Sequence, residues 1–78
     1  MDNSIETVFD YATKEELEML GYRFWTKEEY LVHISMDEIY GDLACLGILR
    51  GDKAFEEKYL NKIQDPEYKF WLIYRDHF

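Results

Sequence analysis

Residues 36–63 read "MDEIYGDLACLGILRGDKAFEEKYLNKI", and the fold turns on how this stretch is folded. Its first half, 36–49, is apolar on most sides. Ile39, Leu43 and Leu46 form one stripe at helical spacing, which predicts a central buried helix despite Gly41 and Gly47. "RGD" at 50–52 matches a cell-adhesion tripeptide by eye but reads here as a turn, with Asp52 as a helix cap. Residues 53–63 place Phe55, Tyr59, Leu60 and Ile63 on one face and Glu56, Glu57, Lys58 and Lys62 mostly elsewhere, so a second, amphipathic helix is expected. Two such helices joined by a tight turn make an antiparallel hairpin at about 36–63.

Outward from the hairpin, helix-start signals punctuate the chain. Thr13 with Glu16, Thr26 with Glu29 and Ser35 with Glu38 have the capping-box form, in which a hydroxyl and a carboxylate three residues on satisfy free backbone N–H groups. Residues 4–12 carry Ile5, Val8 and Phe9 at helical spacing, and residues 14–20 put Leu17 and Leu20 inward with Gly21 as the stop. "YRFW" at 22–25 reads as extended or loop. The stretch "YLVHISM" at 30–36 leaves two readings open. Its alternation of Tyr30, Val32, Ile34 and Met36 suits a half-buried strand, and the capping box before it favours a helix.

The C-terminal run "QDPEYKFWLIYRDHF" poses the same choice at 66–77. Asp65-Pro66-Glu67 is a strong helix start, because proline suits the first helical position and an acid suits the helix dipole. As a helix it carries apolar residues on two sides, Phe70, Ile73, Tyr74 and His77 on one and Tyr68, Trp71, Leu72 and Arg75 on the other. In so small a protein these aromatics are expected to close the core. The expectation is therefore a single domain over residues 1–78, mainly α, a compact small helical bundle around the 36–63 hairpin. A short strand pair, making it α+β, is the alternative.

Composition agrees with a folded chain. Seventy-eight residues give an expected radius of gyration of roughly 11–12 Å. A domain of this size is short of buried surface, but fourteen aromatic residues at ~150–250 Å² each can supply a core. Cys45 is the only cysteine, which excludes an internal disulfide and points to a reducing, cytoplasmic setting. An acidic start without an apolar run, and no stretch near the ~20 apolar residues of a membrane span, argue against a leader or a membrane partner.

The charge is unevenly shared. Residues 1–49 hold eleven acids and three bases, a net of −8, whereas residues 50–78 hold six of each. Such a surface favours a basic protein partner and argues against direct binding of nucleic acid, which relies on Lys and Arg against phosphates. If Glu15, Glu16, Glu18, Glu28, Glu29, Asp37, Glu38 and Asp42 share a face, their carboxylates could stand where phosphates stand. Duplex DNA carries about one charge per 1.7 Å of axis, and eight charges over a domain this wide reach the same order. The plainer reading is that the acidity confers solubility.

No constellation for catalysis stands out. Glu29 and His33 share a helical face, but the H-E-x-x-H spacing is absent and His77 is remote, so neither a catalytic nor a metal site is expected, and no cofactor. Cys45 lies in an apolar run without a neighbouring base and reads as a small hydrophobe.

Three fragments, "EELEMLG" at 15–21, "LVH" at 31–33 and "PEYKFW" at 66–71, resemble pieces of the small acidic phage inhibitors of uracil-DNA glycosylase. The resemblance covers about sixteen of 78 residues. It implies strands at 30–36 and 68–75, with Glu15, Glu16 and Glu18 meeting the enzyme's DNA groove. The apolar helix between the fragments does not fit that family's mainly β body.

The functional expectation is a small, non-enzymatic, protein-binding module. In its sharper form it is a phage or mobile-element inhibitor, of the DNA-mimic or anti-CRISPR kind, blocking a basic nucleic-acid-binding host protein with its acidic face. The alternative is an adaptor or scaffold domain that binds a partner, or a second copy of itself as a homodimer, through Tyr68, Trp71 and Tyr74.

Overall fold

A computed structural model of the chain describes residues 5–76, with side chains through Tyr74. Six helices follow in order, α1 Val8–Tyr11, α2 Lys14–Leu20, α3 Lys27–His33, α4 Met36–Arg50, α5 Lys53–Leu60 and α6 Pro66–Asp76. The mainly α reading holds, and among the described residues there is no strand. The radius of gyration, 12.1 Å, is that of a well-packed chain of this length.

Local chemistry accounts for most boundaries. Thr13, Thr26 and Ser35 each accept from the backbone N–H three residues on, while Glu16, Glu29 and Glu38 accept from the cap's own N–H. A fourth box, Thr7 with Asp10, opens α1 and lay unread in the sequence. Gly21 (φ 93°) and Gly51 (φ 69°) end α2 and α4 in the left-handed region, where a side chain would be strained. Asp52 caps α5 through the Phe55 N–H at 3.1 Å, and Asp65 caps α6 through the Glu67 N–H at 3.0 Å.

Both contested segments are helical, so the strands implied by the inhibitor resemblance at 30–36 and 68–75 are absent. In α3 the apparent alternation fails on one residue. Tyr30 is buried and Ile34 half-buried, one helical turn apart, while Val32 is 78% exposed. The helical period, not the strand period, describes which side chains face inward.

α4 is the axis of the bundle. Ile39, Leu43 and Leu46 are at most 1% exposed, and α5 folds back along the helix. The two glycines that looked like weaknesses are points of close approach. A Cβ at Gly47 would lie 2.7 Å from the Glu56 backbone nitrogen, so the bare Cα lets α5 cross in contact with α4. A Cβ at Gly41 would meet the Tyr68 ring, which is how α6 seats on the same helix. Glu56, expected on the polar face of α5, is only 7% exposed because of this crossing.

Polar ties hold the remaining elements to the hairpin. Arg50 forks onto Glu16 at 2.8 and 2.9 Å and also donates to the Tyr11 carbonyl, joining the end of α4 to α2 and α1. Lys27 bridges both oxygens of Asp10 at 2.8 Å and ties α3 to α1. Asp37 accepts from the backbone N–H groups of Gln64 and Asp65, at 3.0 and 3.1 Å, and so clamps the connection into α6 onto the first turn of α4.

Candidate functional site

Asp42 lies within the apolar run of α4, where a carboxylate needs compensation to remain. Two phenols supply it. Tyr30 and Tyr22 both donate to Oδ2, at 2.6 and 2.8 Å. The rings meet edge to face with centroids 5.0 Å apart, and Phe9 packs edge-on against Tyr30 at 5.2 Å. Burial raises the Asp42 carboxyl above the ordinary carboxylate range, with the nearby Glu38 charge acting in the same direction and the two phenols opposing it. Burial, then the charge of and hydrogen bond to Asp42, raises Tyr22, and the same causes raise Tyr30, so both stay protonated donors at neutral pH.

This carboxylate opens onto a groove of about 410 Å³ between α2, α4 and α6. Met19 and Leu20, Cys45 and Leu49, and Leu72 line it, and Asp42 is the one charged lining residue. The groove was not foreseen from the sequence. The available signal was Asp42, the one acid of α4 beyond its first turn and set in its apolar stretch, where a carboxylate needs compensating partners.

The acidic candidates are dispersed into structural duties. Glu16 is bound by Arg50, which with the Thr13 backbone N–H holds its carboxyl down to about 2. Glu18 pairs with Arg23 at 3.1 Å, Glu29 and Glu38 complete capping boxes, Asp37 clamps the α6 connection, and Asp42 sits under its tyrosines. Asp42 is therefore not part of an open acidic face. Glu15 and Glu28 are exposed and make no hydrogen bond or ion pair among the described residues. Glu29 and Glu38 stay exposed while they accept from the backbone N–H groups of their own caps, so the surface remains acidic.

The aromatic candidates are distributed otherwise than a closed core requires. Leu72 is buried and Tyr68 half-buried on the α4 side, but Phe70, Trp71 and Tyr74 are 61, 56 and 45% exposed. The three rings pack on one another: Phe70 stacks on Tyr74 at 6.0 Å and Trp71 meets Tyr74 edge-on at 5.6 Å. The expectation that this segment closes the core is corrected, because α6 packs chiefly on α4 and buries one side there, leaving these three rings more than 40% exposed. A second exposed apolar group, Phe24 with Arg23 over its ring at 5.0 Å and Trp25 beside it, falls in the stretch that the sequence marks only as extended or loop. His33 packs edge-on against Trp25 at 5.8 Å, and among the described residues no group of three potential metal ligands forms. His77 and Phe78 lie outside the described residues. No described helix is long and apolar enough to cross a membrane.

Set against protein-family models, curated proteins and solved structures, the chain matches none, so its sites are read from their own geometry.

Proposed function

We propose that this chain is a protein-binding module, without a catalytic role, whose partner docks on the aromatic side of α6. The observation behind it is the stacked, exposed cluster of Phe70, Trp71 and Tyr74. With roughly half of each ring in water, the three leave about 300 Å² of aromatic surface uncovered, comparable to the largest patch on an ordinary monomer. Large, stiff aromatic side chains are also the usual energetic anchors of interfaces.

Charge suits this division. The aromatic helix lies in the neutral part of the chain, and the excess acids lie in residues 1–49. A basic partner is drawn in by the acids of residues 1–49 and held by the aromatics of α6. Such a partner is most simply a nucleic-acid-binding protein, which gives the reading its inhibitor form of phage or mobile-element origin.

Capture from a nuclease-treated bacterial lysate by the tagged wild type, a Trp71→Ala/Tyr74→Ala variant and a Glu15→Lys/Glu28→Lys variant tests this. The aromatic variant should lose a specific, salt-resistant partner that the acidic variant retains with slower association. If the aromatic variant captures normally and the charge-reversed one does not, the acidic face is the interface and the α6 reading fails.

A further inference from the structure

The groove beside Asp42 specifies more about the partner. Its walls are apolar side chains from three helices, Met19 and Leu20, Leu49, and Leu72, and its single charge is a partly buried carboxylate. That carboxylate has two phenols on Oδ2 but no Lys or Arg partner among the described residues. A half-buried anion balanced only by neutral donors is complementary to a cation that brings its own apolar stem.

We propose that the groove is a socket for a lysine side chain of the protein partner, with its methylene stem along Leu20, Leu49 and Leu72 and its ammonium on Asp42. The inference rests on the protein-binding reading and adds the chemistry of the docked segment. Lysine suits the site better than arginine. One carboxylate oxygen already accepts two phenols, which leaves no open pair of oxygens for the guanidinium fork, whereas an ammonium needs one acceptor and enters as a point charge. The volume, about 410 Å³, exceeds one lysine side chain and leaves room for an apolar neighbour in the docked segment.

The test is an amide chemical-shift titration of the full chain with hexylammonium chloride, a stand-in for the lysine stem and head, against hexanol as the neutral control. Saturable shifts centred on Leu20, Asp42, Cys45 and Leu49, with hexylammonium at least about fivefold tighter than hexanol, are expected from one charge-assisted hydrogen bond at a partly wet site. Asp42→Asn should remove the preference for the ammonium. Absence of saturable shifts, equal affinity for the two probes, or a preference that survives in Asp42→Asn overturns the socket.

Should Asp42→Asn not fold, Leu49→Lys at the exposed rim serves the same purpose. It places a resident cation at the groove and must lower hexylammonium affinity; undiminished affinity overturns the proposal. A Trp71→Ala/Tyr74→Ala chain separates the two readings, since its ammonium binding depends on the groove alone while its capture of the partner depends on α6.

Discussion

Gly47→Ala is the sharpest probe of how this bundle is assembled. In an isolated helix the change would stabilise, by roughly 0.5–1 kcal/mol, because alanine loses less backbone entropy than glycine. Here the added Cβ would stand 2.7 Å from the Glu56 nitrogen, 2.9 Å from its Cα and 3.1 Å from its Cβ. The first two are backbone atoms of α5, which the Gly51–Asp52 turn holds close to α4, so no flexible side chain can yield. Overpacking of this kind costs about 1–3 kcal/mol or more. After the propensity gain, a net loss of roughly 1–2 kcal/mol remains, which lowers the melting temperature by about 4–8 °C per kcal/mol in a domain of this size.

Urea unfolding followed by far-UV circular dichroism measures the loss directly, as a lower midpoint at unchanged slope. Gly41→Ala is the internal comparison. Its Cβ meets only the ring end of Tyr68, a side chain that can swing, so its cost should be the smaller of the two. A neutral or stabilising Gly47→Ala would refute the close crossing of α4 and α5, and with it the account of why Glu56 is buried.

Asp42→Ala leaves the Tyr22 and Tyr30 hydroxyls without their acceptor and should destabilise by about 1–3 kcal/mol in urea, whereas Asp42→Asn, which keeps an acceptor oxygen, should cost less. The Glu16 carboxyl, at about 2 in the folded chain against an ordinary 4.5, favours folding above pH 4.5 and loses that contribution as pH falls toward 2. Glu16→Gln should accordingly lower the urea midpoint at pH 7 and flatten its fall between pH 4.5 and 3. Asp42 acts with the opposite sign: its raised carboxyl makes the folded chain bind protons more readily, so its contribution falls as pH rises from about its ordinary 3.8, and Asp42→Asn should remove that slope in urea midpoints measured from pH 4 to 7. Trp71→Ala and Tyr74→Ala, at exposed positions, should each change stability by no more than about 0.5 kcal/mol in thermal unfolding while removing partner capture; a large loss of stability would place these rings in the core after all.

Much of the fold was legible because it is written locally. A cap, a carboxylate three residues on and a glycine stop act within one helical turn, so Thr13, Thr26, Ser35, Asp52 and Gly21 could be read one by one. The 30–36 stretch was ambiguous for the same reason. Over seven residues, Tyr30, Val32 and Ile34 satisfy the strand period as well as Tyr30 and Ile34 satisfy the helical one, and only the burial of Tyr30 with the exposure of Val32 separates them.

The candidate sites were less legible. The charge imbalance and the aromatic content of 66–74 follow from composition, and both are present at the surface. What became of particular acids did not follow, because the partners are distant: Glu16 meets Arg50 thirty-four positions on, and Asp42 meets Tyr22 twenty positions back.

The sequence by itself determined six helix starts or stops, the apolar stripe of α4 and the confinement of excess charge to residues 1–49, since each depends on neighbours within a few residues or on a count. Tertiary structure alone decided that two glycines are contact points, that one acid lies beneath two tyrosines at the side of a groove, and that the aromatic side of α6 faces water. These depend on which surfaces meet when helices far apart in the chain are brought within van der Waals contact, and that is set by packing around α4 as a whole.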